Sequence, residues 1–238
     1  MTTPRRIVLT RTAEQCQPWH QALEARGVKV LSLPLLRFLR LEVQTEVDTT
    51  GFDWILFTSP QGVRAFFDAE LPHGTAQFGV LGEGTATALQ DCGRNDHLGV
   101  RALDGSGLAQ EFIKRVPSPV RVLLPGPAHR MDDPHATLSA AGYDAIELPL
   151  YQTDAVPASD LPASPWQPDD LIFFASPSAV HACVAVWEPN TPCIAIGETT
   201  AAAARLAGFK VAIADTPDLE AMIQAAGLAT ANSPKETS

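Results

Sequence analysis

The chain repeats itself. LSLPL at 31–35 returns as IELPL at 146–150, and GEGTATA at 82–88 returns as GETTAAA at 197–203. Pro34 recurs as Pro149, Gly27 as Gly142 and Gly82 as Gly197, each 115 positions on. FTSPQGV at 57–63 returns as FASPSAV at 174–180, 117 positions on. Motifs in one order at nearly one offset identify an internal duplication, whose copies account for most of the 238 residues. Such self-similarity constrains the fold before any single element does, because both copies must build the same units.

Each copy has the same grammar. A short apolar run (RRIVLT, 5–10; VRVLLP, 120–125) precedes a helical pattern closed by Gly27 or Gly142, and a strand follows at 28–35 or 143–150. A buried-type strand comes next, after an aspartate (DWILFTS, 53–59; DLIFFAS, 170–176). Then come a helix opened by Ser-Pro, a strand (FGVLG, 78–82; CIAIG, 193–197), a helix opening on threonines, a short strand and a final helix. Apolar strands alternating with helical segments mean βαβ units, and hence parallel sheets covered on both faces. The expected fold class is α/β, with two similar doubly wound parallel-sheet domains.

Both copies lack a helix between their second and third strands, at 36–52 and 151–169, the latter broken by four prolines. A parallel connection within one sheet needs a crossover. The chain is therefore expected to leave one domain here and enter the other. Residues 1–36 with 154–238 would then form a discontinuous domain, and 39–150 an inserted one. LRFLRLEV and YQTDAV would be the two passes between them. The simpler arrangement is two consecutive domains cut near Pro117–Pro119.

Composition excludes some classes of partner. Acidic residues outnumber basic ones by 27 to 17, a net charge of −10, where a nucleic-acid or anionic-membrane binder needs a basic face. The basic residues are mostly arginine, which suits bidentate carboxylate recognition or reflects genomic composition. No apolar stretch approaches the ~20 residues of a membrane span. TTPRRIVLTRT carries no signal-peptide apolar core. Cys16, Cys92, Cys183 and Cys193 form no CxxC or zinc spacing and read as reduced thiols, so a cytoplasmic protein is expected.

Candidate site residues come from the repeated motifs. Ser59-Pro60 and Ser176-Pro177 place an N-cap hydroxyl and an N1 proline after buried strands. Thr85, Thr199 and Thr200 sit at equivalent helix starts after Gly82 and Gly197. In a doubly wound sheet such starts lie at the carboxyl ends of strands, where helix N-termini attract carboxylates or phosphates. The same residues also read as plain helix caps. Arg11 and Arg130, each following the first strand of its copy, are candidate anion contacts or solvated surface arginines. GEGT lacks the third glycine of a dinucleotide loop. HRMDDPH at 129–135 is better read as a helix start at Asp132-Asp133-Pro134 than as a metal set, so neither a cofactor nor a metal is expected.

VLTRT at 8–12, FTSPQGV, LPGPAHRMDDPHATLSAAGYDAIELPLYQT at 124–153, FFASPSAV and AIGETTAAAARLAGF together resemble the uroporphyrinogen-III synthase family. The ordered set, with LPLYQT followed by SPSAV and IGETTA, carries the resemblance. Two departures stand out: Thr12 where the family often has proline, and Pro125 where it often has arginine before glycine. The resemblance implies two α/β domains joined by a two-stranded β-ladder hinge, a cleft between them and no cofactor. It implies a monomer acting on hydroxymethylbilane, a linear tetrapyrrole with eight carboxylates. The hydroxymethyl oxygen would leave as water to give an azafulvene cation. Attack by the substituted α-carbon of ring D then forms a spiro-pyrrolenine, and fragmentation and recombination invert that ring. Tyr151, in the YQT motif, is the implied acid, or an aromatic that packs or binds a propionate. A non-catalytic two-domain binding or sensor protein is the competing reading.

Overall fold

The computed structural model describes residues 6–43, 47–102, 104–130, 132–167 and 169–228. The first copy gives β1 (Arg6–Leu9), α1 (Ala13–Glu24), β2 (Val30–Ser32), β3 (Leu36–Arg40), β4 (Trp54–Phe57), α2 (Pro60–Asp68), β5 (Gln77–Val80), α3 (Gly82–Asp91) and α4 (Gly105–Arg115). The second gives β6 (Arg121–Pro127), α5 (Pro134–Ala140), β7 (Asp144–Ala155), β8 (Asp170–Phe174), α6 (Pro177–Val184), β9 (Cys193–Ala195), α7 (Glu198–Leu206), β10 (Val211–Ile213) and α8 (Leu219–Ala225). The expected duplicated, doubly wound α/β architecture is present. One sheet runs β10-β9-β8-β1-β2 and the other β3-β7-β6-β4-β5.

Strand pairing joins the two copies. β1 pairs parallel with β2 from its own copy and with β8 from the other; β6 likewise pairs with β7 and β4. The registers repeat with the sequence: Ile7↔Val30 matches Val122↔Ala145, and Ile7↔Leu171 matches Val122↔Trp54. The described residues up to Phe38 and from Asp154 onward form one compact unit, and Leu39–Thr153 form the other. β3 and β7 therefore each run across the division.

In the first unit helices cover both faces. Val8, Ile172, Phe174 and Cys193 pack with α6 and α7 residues, whereas Ile7, Leu9, Phe173 and Ile194 pack with Leu23, Met222 and Ile223. The aspartate that opens β8 is tied to β1: Arg6 donates from Nε (3.0 Å) and Nη2 (2.6 Å) to buried Asp170. In the second unit Trp54, Leu56, Phe112, Val122 and Leu138 form the core on one face. Full burial of side chains such as Phe112 stabilises the fold by ~1.5–3 kcal/mol each.

The repeat is broken after α3. Among the described residues no short strand follows α3 as expected, although its counterpart β10 forms. Asp96 accepts from Leu98 N and Gly99 N at 3.0 Å each, so its carboxylate takes donors that a ladder would need. Gly99 at φ +63° then turns the chain away.

Candidate active site

In each sheet the chain winds outward in both directions from one pair of neighbouring strands, β1/β8 and β4/β6. Ligands of doubly wound sheets bind at such switch points, outside the carboxyl ends of the strands. In the second unit the sequence opens this crevice. β4 and β6 are in register only at Trp54↔Val122 and Ile55↔Leu123, because Pro125 has no N–H with which to extend the ladder. β4 runs on to Phe57, then Thr58 and Ser59, and Pro60 starts α2. Ser59 Oγ caps α2 by accepting from Gly62 N at 3.0 Å. A Cβ on Gly62 would lie 3.3 Å from the Pro125 carbonyl oxygen, so this first turn sits close against β6.

Tyr151 enters the crevice from β7. Its partner on β6 is Pro127, just past a register shift between Gly126 and Pro127, and its carbonyl accepts from Ala128 N at 2.8 Å. Leu150 and Tyr151 are both buried, breaking the alternation along β7 at that irregularity. Bulges of this kind re-aim side chains. The phenol oxygen lies 3.0 Å from Ser59 Oγ. Burial pushes the Tyr151 pKa up, while the Ser59 hydrogen bond and the Arg130 charge oppose the shift. The net rise keeps the phenol protonated at neutral pH, the state a proton donor requires.

Arg130 lies under the same pair, with its side chain only 8% exposed. Nη1 donates to Thr58 Oγ1 at 3.0 Å and Nη2 to the Leu124 carbonyl at 2.8 Å. Nε sits 2.9 Å from Glu147 Oε1, an ionic contact without hydrogen-bond alignment. The guanidinium lies directly over Gly126, where a Cβ would fall 2.4 Å from Nη2. Thr58, Gly126 and Glu147 carry no sequence signal of their own. They belong to this site only because three separate strands bring them to one arginine.

The first unit holds the corresponding residues. Ser176 Oγ caps α6, accepting from Ala179 N at 3.2 Å. The Arg11 guanidinium rests 4.6 Å over the Trp19 ring, and burial lowers its pKa. The threonines depart from a simple capping role. Gly197 takes the N-cap of α7, and α3 opens at Gly82 with φ +73°, so Thr85 and Thr200 lie in the first turn and are each 3% exposed. Thr199 is exposed. In HRMDDPH, Asp133 caps α5 through Ala136 N (2.7 Å) and Asp132 accepts from Gly105 N at the start of α4; Met131 lies outside the described residues. Among the described residues no three His, Cys, Asp or Glu side chains gather as a metal set. No helix there is long and apolar enough to cross a membrane.

Fold and site define a class: a duplicated, doubly wound α/β protein with a buried tyrosine–serine pair at a switch-point crevice. The family described as uroporphyrinogen-III synthase HemD matches residues 17–224. This chain belongs to the uroporphyrinogen-III synthase family. It is 28% identical over 241 residues to the chloroplastic uroporphyrinogen-III synthase of Oryza sativa subsp. japonica, covering 93% of this chain and 79% of that one. It is 24% identical over 237 residues to the porphyrin biosynthesis protein HemD of Ruminiclostridium josui, covering 92% of this chain but 47% of that protein, about half its length. Among solved structures, the uroporphyrinogen-III synthetase of Helicobacter pylori 26695 shares the fold with a TM-score of 0.66 and 22% identity, over 92% of this chain and 97% of that one. A mutant uroporphyrinogen III synthase from the extreme thermophile Thermus thermophilus gives 0.53 and 19%, over 92% and 96%.

Proposed function

We propose that this chain acts as a uroporphyrinogen-III synthase, a cyclising hydro-lyase that closes hydroxymethylbilane with loss of water and inversion of ring D. Family membership supplies the reaction, and the Ser59–Tyr151 pair carries the assignment to residues. The Gly62 N–H at the start of α2 occupies one lone pair of Ser59 Oγ. Ser59 then donates its hydroxyl as a hydrogen bond to Tyr151 Oη, and the phenol gives its own proton to the hydroxymethyl oxygen of the substrate. Chained donors polarise one another, and the positive helix end strengthens the first link. The C–O bond breaks, water leaves and an azafulvene cation remains. The proton lost when the last pyrrole regains aromaticity balances the one spent.

Closure without inversion is the simpler path for the activated bilane, so selectivity rests on orientation rather than on further reactive groups. Arg11, Ser176 and Thr199, with the backbone amides starting α2 and α6, are proposed to hold acetate and propionate arms. Buried Thr85 and Thr200 would fix the first turns of α3 and α7. Such local donors suit an anionic substrate on a protein of net charge −10. A cytoplasmic monomer with no nucleic-acid or membrane partner is part of this reading. So are domains of residues 1–36 with 154–238 and 39–150, joined by a two-stranded ladder.

The test is turnover of hydroxymethylbilane followed by isomer analysis of the oxidised porphyrins. Type III product formed faster than spontaneous closure is expected. Only type I product, at the uncatalysed rate, would leave a binding protein.

A further inference from the structure

Arg130 touches β6, β7 and the residue just past β4, the three segments that carry the tyrosine–serine pair. Nη1 reaches Thr58, the neighbour of Ser59 beyond β4; Nη2 reaches the Leu124 carbonyl of β6; Nε faces Glu147 of β7, four residues before Tyr151. These contacts take all three guanidinium nitrogens into the protein, and the group is packed over Gly126 with its side chain 8% exposed. A guanidinium so placed is poorly disposed to leave for a substrate carboxylate. Its rigid fork suits linking several acceptors in fixed geometry, which a lysine cannot reproduce.

We infer that Arg130 is a positioning residue for the dehydration step, bracing β6 and β7 against the chain just past β4 so that Ser59 and Tyr151 meet, instead of binding substrate. The inference rests on the proposed function for its kinetic consequence, but the bracing itself is a property of the free protein. The field of Arg130 acts in the same sense, favouring release of the phenolic proton. Glu147 bears on the phenol by partly offsetting that charge, and Ser59 is an uncharged partner.

The chain has two tyrosines, so the phenol can be watched directly. Tyr143 donates to the Val116 carbonyl in the core, and the ultraviolet phenolate signal missing from Tyr151→Phe belongs to Tyr151. In Arg130→Met the Tyr151 phenol should ionise at higher pH than in wild type, since a favourable positive charge is gone. kcat should fall about tenfold with KM within about twofold, the pattern of an interaction that matters only in the transition state. In a Tyr151→Phe background the same substitution should lower kcat less than about twofold, because the acid it positions is absent.

Arg130→Lys should restore the phenol titration towards wild type yet leave kcat low, separating charge from fork. Thr58→Val, a milder change that cuts one arm, should lower kcat about threefold by the same route, and it decides the matter if Arg130→Met does not fold. The inference is overturned if Arg130→Met and Thr58→Val leave the phenol titration and kcat as in wild type. An effect confined to KM, or one of equal size in the Tyr151→Phe background, would also overturn it. Failure of the wild type to make type III product refutes the proposed function alone; the titrations still decide the bracing.

Discussion

At the scale of the residue, two serines in matching motifs should behave differently. Ser59 and Ser176 both cap helices, so alanine at either should lower stability by ~1 kcal/mol in denaturant titration. Ser59 also contacts the Tyr151 phenol. Ser59→Ala should therefore cut kcat in the bilane assay several-fold, while Ser176→Ala should weaken product affinity at most several-fold and spare the chemical step. Equal kinetic losses would mean that the repeated caps act alike. Tyr151→Phe should lower turnover about ten- to a hundredfold, the range for losing one positioned acid, with the product isomer unchanged. Full activity in that variant would move the acid to water or to a substrate carboxyl.

At the scale of the element, β6 is an unusual central strand. Two prolines in RVLLPGP would disqualify an ordinary interior strand, yet they end the ladder with β4 where the crevice opens. Gly126 between them allows the guanidinium to lie on the backbone. Gly126→Ala should displace Arg130, destabilise by ~1–3 kcal/mol through overpacking, and reduce kcat about as much as loss of the arginine. Ala at Gly142 makes the contrast. Nothing lies within 4 Å of its Cβ, but φ is +84°, so that variant should lose stability and keep kcat. Melting temperatures and kcat for the two variants, measured together, check both expectations.

At the scale of the whole molecule, Leu39–Thr153 is one continuous stretch with its own core, and Leu41 N donates to the Leu150 carbonyl at 2.9 Å near its two ends. A fragment of residues 39–153 should fold cooperatively by circular dichroism and urea titration, whereas neither 1–38 nor 154–238 should do so alone. A non-cooperative 39–153 fragment would count against the proposed domain division. Buried thiols add a pH dependence. Burial pushes Cys183 and Cys193 up to about 12, against about 8.5 in an unfolded chain. The folded state therefore holds protons that the unfolded state releases between those values. Stability from this source is full below about pH 8.5 and is lost as pH rises towards 12. The urea midpoint should fall between pH 7 and pH 10, and Cys183→Ala with Cys193→Ala should flatten the fall.

What the sequence determined by itself is local or periodic. WILF and LIFF are too apolar to be anything but strands covered on both faces. Ser-Pro and Asp-Pro start helices through atoms three residues apart. The duplication shows as a numerical offset, and the strand registers keep that offset. The candidate acid was legible through family resemblance, because Tyr151 sits in a recognisable run. What only the tertiary structure decided depends on strands distant in sequence. Whether Ser59 meets Tyr151, 92 positions away, follows from β6 lying between β4 and β7 and from a register shift no local pattern announces. Arg130 reads in sequence as an anion contact or a solvated surface arginine; its contacts with Thr58, Leu124 and Glu147 exist only once three separate strands are brought together. The missing strand at 96–98 makes the same point in reverse, since one aspartate takes two backbone donors and cancels what the repeat predicts. Short-range hydrogen bonding and hydrophobic period are written along the chain, whereas the partners of a buried polar group are fixed by which elements the completed fold brings together.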